Sequence, residues 1–205
     1  MKDRIEAVVF DLYGTLLYLA EESRSYAKLF FSIGLQTPEE LSKARRICMT
    51  EDFDNLSELV ERIKPNLRID FQIYQDEVEK ERASAALYPE TKEVLERLRE
   101  RNIKLGLISN LASPYKKPFF DLGLNAYFDG VLFSCDAGLR KPDPEIYQMM
   151  IETIKIDPAY VLMTGDKIHT DVDGPKSAGM KAVHLNRKDK SADSIETLRE
   201  IFQYL

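Results

Sequence analysis

Val8-Val9-Phe10-Asp11-Leu12-Tyr13-Gly14-Thr15-Leu16 is the stretch that decides the fold. An apolar run ends in an acid, and a glycine turn follows at once. The pattern predicts a buried strand with Asp11 at its carboxyl end, where open α/β sheets bind ligands. Four more apolar runs, at 103–108, 130–134, 160–164 and 181–185, join residues 5–10 as predicted strands. After residue 88 they alternate with helical patterns. Val94, Leu95 and Leu98 share one helix face, and Ile146, Met149, Met150 and Ile154 share another. Strand and helix in alternation predict a doubly wound, mostly parallel five-stranded α/β sheet, Rossmann-like, with helices on both faces.

Residues 17–87 break the alternation. Tyr26, Leu29, Phe30 and Ile33 recur at helical spacing. Thr37-Pro38-Glu39-Glu40 reads as a capping box with proline at the first helical position. Leu56, Leu59, Val60 and Ile63 form another stripe, ended by Pro65. Asp70 is placed to cap a fourth helix carrying Tyr74 and Val78. The expected organisation is a core of residues 1–16 and 88–205 with an inserted α-helical cap, residues 17–87. Hinges are expected near Leu16–Leu19 and Ala86–Pro89.

Composition narrows the function classes. A chain of 205 residues can bury a sizeable core, and 44% hydrophobic with 31% charged residues is ordinary for a soluble globular protein. The net charge of -6 and the lack of a basic block argue against a nucleic-acid partner. Early basic residues, among them Lys2, precede the first apolar run, but Asp11 interrupts it, which argues against a signal peptide. No apolar stretch is long enough to span a membrane. Cys48 and Cys135 form no close-spaced ligand pair, which fits a reducing cytoplasm. Nothing decides between monomer and homodimer.

Three further elements carry candidate chemistry. Leu105-Gly106-Leu107-Ile108-Ser109-Asn110 is a strand ending in a hydroxyl. Taken alone, Ser109 reads first as a helix cap. Arg140-Lys141-Pro142-Asp143-Pro144 sets a lysine in a loop, where a lysine is most often a solvated surface residue. Asp143 is expected to cap the next helix, with Pro144 at its first position. Val161-Leu162-Met163-Thr164-Gly165-Asp166 is a strand ending in an acid, and Asp171 follows five positions later. Two acids at a helix start also suit its dipole.

In order and spacing these four elements resemble the haloacid dehalogenase-like (HAD) hydrolase superfamily, across nearly the whole chain. The cap segment matches only as a generic helical cap. The family's first motif is usually written D-x-D-G-T. The resemblance implies that Asp11 is a nucleophile forming a covalent intermediate, that Ser109 hydrogen-bonds the transferred group, and that Lys141 pairs with Asp11 and an anionic small-molecule substrate. Thr15 and Asn110 would join Ser109 and Lys141 in holding that substrate. Mg²⁺ would be held by Asp11, the backbone carbonyl of Tyr13 and Asp166, with Gly14 and Asp171 in support. A bacterial receiver domain also combines an acid, a hydroxyl and a lysine, but its acceptor acid lies on an internal strand after a separate acidic pair.

Tyr13 departs from the motif, because the family's phosphatases carry a second aspartate there for proton transfer. A tyrosine has a reference pKa near 10 and is a weak base at neutral pH. The family's metal-independent 2-haloacid dehalogenases have tyrosine at this position, since a halide leaves without a proton. Asp166 and Ile168 pull the other way, because those dehalogenases typically carry serine and asparagine there. Arg24, Arg45, Arg46 and Arg62 are all candidates for a halide site. The expectation is a Mg²⁺-dependent phosphatase acting on a small phosphorylated metabolite. Its proton transfer falls to His169, to a cap residue or to the leaving group. A 2-haloacid dehalogenase and a non-catalytic regulatory protein are the alternatives.

Overall fold

A computed structural model describes residues 4–189 and 193–205. Lys2 therefore lies outside the described residues, as do residues 1, 3 and 190–192 of the expected core segments. In chain order the elements begin with β1 (Ala7–Phe10) and β2 (Leu17–Leu19). Four helices follow: α1 (Ser25–Ser32), α2 (Pro38–Thr50), α3 (Leu56–Ile63) and α4 (Gln72–Ala83). Then come β3 (Ala85–Leu87), α5 (Thr91–Glu100), β4 (Lys104–Ser109), α6 (Lys117–Asp121), β5 (Gly130–Phe133), α7 (Ser134–Ala137) and α8 (Pro144–Ile154). The chain closes with β6 (Val161–Gly165), α9 (Gly174–Ser177), β7 (Lys181–Leu185), β8 (Ser194–Ile195) and a 3-10 helix (Leu198–Tyr204).

The sheet runs β5-β4-β1-β6-β7-β8, and every pair in it is parallel. The five strands expected from the sequence are all present. The sixth, β8, is a two-residue edge strand, too short to leave a periodic pattern. β1 is central and completely buried, which is why its sequence is continuously apolar rather than alternating. Its residues still divide by parity. Val8 and Phe10 pack with Val94, Leu95 and Leu98 of α5 on one face. Ala7 and Val9 pack with Ile146, Met150 and Ile154 of α8 on the other. The expected α8 stripe needs one correction. Met149 is half-buried at its flank, and Tyr147 and Ile151 are buried in the face instead.

Between β2 and β3 lies the helical insert. Its own apolar cluster joins Leu29, Phe30, Cys48, Phe53, Leu59 and Val60, and Ala112 reaches in from the core. The capping box forms as expected: Thr37 Oγ1 accepts from Glu40 N at 3.2 Å, and Glu40 Oε2 accepts from Thr37 N at 3.0 Å. Asp70 accepts from Gln72 N at 2.9 Å and so serves the start of α4. Asp143 does not cap α8 with its side chain. Its carboxylate faces Arg46 at 2.9 Å and the Arg140 amide at 3.3 Å. Where the insert leaves and rejoins the core, β2 and β3 pair antiparallel, Leu17 with Leu87 and Leu19 with Ala85.

Glu81 of α4 ties the insert together. It is buried and accepts from Ser23 N at 2.6 Å, Ser23 Oγ at 2.5 Å, Ser25 Oγ at 3.2 Å and the Tyr115 hydroxyl. Burial works to raise its pKa, but the Ser23 and Tyr115 bonds outweigh that and hold it below the ordinary 4.5. Glu81→Gln should therefore cost about 1–3 kcal/mol at neutral pH. A carboxyl depressed in the folded state stabilises fully above its ordinary value and loses that contribution as pH falls through the folded one. Denaturant titrations of both proteins should show a constant gap above pH 4.5 that closes below it. A gap unchanged at acid pH contradicts the assignment.

Candidate active site

The site is built at the carboxyl ends of β1, β4 and β6. Asp11 directly follows β1, and its amide donates to the Thr164 carbonyl at 3.0 Å, which continues the β1–β6 ladder. The chain then folds back sharply, with the amides of Leu16 and Leu17 donating to the Leu12 carbonyl at 2.8 and 3.1 Å. Gly14 makes this turn with φ +83°, and a Cβ there would stand 2.7 Å from Asp166 Oδ2. Both conditions exclude a side chain. The turn is braced by Arg187, from the segment after β7. It donates to the Thr15 carbonyl at 2.7 Å, pairs with Glu90 at 2.7 Å and stacks 3.5 Å over the Tyr88 ring. Sequence reading missed Arg187, because no local pattern links it to a turn 172 positions earlier.

Lys141 occupies the centre of the site and is 3% exposed. Its Nζ donates to Asp11 Oδ1 at 2.7 Å and to Asp171 Oδ1 at 2.6 Å. Asn110 holds the lysine backbone at both ends of its amide. Nδ2 donates to the Lys141 carbonyl at 2.7 Å, and Oδ1 accepts from the Lys141 amide at 2.8 Å. Thr15 Oγ1 faces Asp11 Oδ2 at 3.4 Å. Asp171 is fully buried in a π-helical turn, Ile168–Asp173, and accepts from the Lys167 amide at 3.0 Å. Gly165 lies against Asp171 so closely that a Cβ would collide with its carboxylate. Ser109 is buried at the end of β4. The structure thus assembles Asp11, Thr15, Lys141, Asp166 and Asp171. Asn110 is engaged with backbone, and His169 is exposed and does not line the adjoining cavity.

The electrostatics of this group are unbalanced. Asp11, Asp166 and Asp171 each offer an oxygen within 4.8 Å of the others. One buried ammonium serves them, so two negative charges lack a buried counter-charge. Asp166 Oδ1 is buried with no hydrogen-bond partner among the described residues, and exposed Lys167 approaches it only to 4.0 Å. Burial is the largest influence on Asp11 and raises its pKa; Lys141 opposes it and Asp171 adds to it. Burial also works to lower the Lys141 pKa, but Asp11 and Asp171 together raise it. A hard divalent cation fits this set of carboxylate oxygens. A second acidic group, Asp52, Cys135 and Asp136, lacks this imbalance, because Lys116 bridges its acids at 2.9 and 2.7 Å.

Tyr13 turns its hydroxyl away from this group and donates to the Tyr115 carbonyl at 2.9 Å. Beside it a cavity of about 460 Å³ runs between core and insert. Asn110 and Gly14 line its core side, Arg45 and Phe30 its insert side. Removing the central cation should expose the imbalance. Lys141→Met should lower stability by about 3–5 kcal/mol at neutral pH, as expected for a buried pair broken on one side. Thermal denaturation should show part of that loss restored by millimolar Mg²⁺. A variant as stable as wild type contradicts the charge accounting.

A model of the family described as haloacid dehalogenase-like hydrolase matches residues 5–179. The chain is 31% identical over 131 residues to a phosphoserine phosphatase of Thermus thermophilus, covering 60% of this chain and 53% of that one. It is 29% identical over 205 residues to a glyceraldehyde 3-phosphate phosphatase of Methanopyrus kandleri, covering 89% and 84%. Among solved structures, a HAD phosphatase from Thermococcus onnurineus superposes with a TM-score of 0.68 at 28% identity, over 97% of each chain. With its parallel sheet, strand-end acids and inserted helices, the chain belongs to the haloacid dehalogenase-like hydrolases.

Proposed function

We propose that the protein is a Mg²⁺-dependent phosphatase of small phosphorylated metabolites, working through an aspartyl-phosphate on Asp11. The observation that carries this reading is the uncompensated charge around Lys141, with Asp166 Oδ1 left unpartnered. Acids this close are costly unless a cation lies between them. The phosphatase names of the relatives support the same class of substrate.

Asp11, the Tyr13 backbone carbonyl and Asp166 are the residues to hold the ion. Mg²⁺, when bound, neutralises charge on a phosphoryl group. Lys141 orients the Asp11 carboxylate and offers positive charge to the phosphate, and Thr15 and Ser109 supply hydroxyl donors. Asn110 acts through the Lys141 backbone it clamps, and Asp171 fixes the ammonium from the far side. Gly14 keeps the turn open beside Asp166. Asp11 attacks phosphorus and the bond to the leaving oxygen breaks; water then attacks phosphorus and frees Asp11. In this reading residues 1–16 and 88–205 are the catalytic core, and residues 17–87 are a cap that selects the substrate.

Tyr13 favours a second reading, a 2-haloacid dehalogenase, because a phenol engaged with Tyr115 suits a leaving group that takes no proton. Phosphate release from a panel of phosphomonoesters separates the two. It should require Mg²⁺, stop with EDTA and fall by about 10⁴-fold or more in Asp11→Asn. Halide release from 2-chloropropionate without Mg²⁺, and no phosphate release, would establish the dehalogenase instead. Failure of beryllofluoride or any substrate to form an adduct on Asp11 would mark a non-catalytic protein.

A further inference from the structure

Hydrolysis of a phosphate ester leaves an oxygen that either receives a proton or departs as a stable anion. The groups lining the cavity offer little help with the first course. The nearest hydroxyl in sequence to Asp11, that of Tyr13, gives its proton to the Tyr115 carbonyl. Among the described residues, Glu22 is the only carboxylate lining the cavity, and it sits exposed on the connection between β2 and α1. The walls point to the body of the ligand. Tyr13, Tyr18, Tyr26, Phe30, Tyr88 and Tyr115 all contribute to them. These rings present faces on which a ligand ring can stack, and the Tyr26 hydroxyl among them is buried without a hydrogen-bond partner among the described residues. Flat apolar bodies suit such walls.

Arg45 is the only cationic side chain lining the cavity among the described residues. Its neighbours in the insert are occupied, Arg46 with Asp143 and Arg62 with Glu51 and Glu58. Arg45 is exposed and makes no such pair among the described residues, so its guanidinium can meet an anion on the ligand.

We infer that the substrate is an aryl phosphate monoester, its ring among the cavity tyrosines and a second anionic group, such as a carboxylate, at Arg45. This rests on the phosphatase reading above and names its substrate class. The step balances without an enzyme acid. Asp11 oxygen bonds to phosphorus, the P–O bond to the ring breaks, and its electron pair leaves on the phenolate. Water then adds its oxygen to phosphorus, Asp11 is released as carboxylate, and the proton of that water passes to the phenolate. A phenol ionises near a pKa of about 10, whereas an aliphatic alcohol, like water, holds its proton far more tightly.

Steady-state kinetics with Mg²⁺ on phenyl phosphate, 4-carboxyphenyl phosphate, benzyl phosphate and 4-carboxybenzyl phosphate test this. The aryl esters should exceed the matched benzyl esters by about 10²–10⁴-fold in kcat/KM, the range a missing general acid leaves open. Arg45→Met should raise KM for 4-carboxyphenyl phosphate by about 10–100-fold and leave phenyl phosphate unchanged. Matched aryl and benzyl rates within about threefold would show that the enzyme protonates the leaving group, and would overturn the inference. So would a Glu22→Gln variant that loses benzyl phosphate turnover selectively, or an Arg45→Met effect shared equally by both aryl esters. In each of these outcomes the phosphatase reading survives. No hydrolysis of any ester with Mg²⁺ present, in a folded protein, would remove both.

Discussion

The ammonium of Lys141, 2.7 Å from Asp11 and 2.6 Å from Asp171, joins residues 130 and 30 positions from it, all of them buried. A charge buried this deeply is tolerable only with partners in hydrogen-bonding geometry. The surrounding structure supplies them. The parallel pairing of β1 with β6 brings Asp11 beside the turn that carries Asp166 and Asp171. The pairing of β1 with β4 sets Asn110 at the same sheet end as Asp11, where its amide holds the Lys141 backbone. Two glycines, Gly14 and Gly165, remove the methyl groups that would otherwise occupy the carboxylate positions.

A chain of hydrogen bonds links this centre to the insert. Tyr13 donates to the Tyr115 carbonyl, and the Tyr115 hydroxyl donates to Glu81 of α4. The residue two positions after Asp11 is thereby connected to the carboxylate that gathers Ser23 and Ser25. Core and insert also share the wall of the cavity, with Tyr13 and Asn110 on one side and Arg45 on the other. Separation of the two parts would break both the hydrogen-bonded chain and the cavity.

Much of this was legible in the sequence because it is local. Apolar runs ending in Asp11, Ser109 and Asp166 announce strands with chemistry at their ends, and period-3.6 stripes announce α3 and α5. The capping box at Thr37 depends on four adjacent residues and formed as expected. Long-range features were not legible. Arg187 braces a turn that only the fold brings near it. Asp143 has the placing of a helix cap, yet Arg46 from α2 turns its carboxylate outward. Asn110 follows β4 at the cavity wall, and its clamp on the Lys141 backbone is a contact that only the fold supplies. β8 is fixed by pairing with β7 and not by any pattern of its own.

The central claim is that the carboxylates of buried Asp11 and Asp171 and half-buried Asp166 around Lys141 are completed by a divalent cation. Isothermal titration of Mg²⁺ into the wild-type protein and into Asp166→Asn tests it without reference to any substrate. One Mg²⁺ per chain should bind the wild type, and binding should be lost in the variant, whose amide removes the charge of the unpartnered oxygen. A wild-type protein that binds no Mg²⁺, or a variant that binds it equally well, contradicts the account.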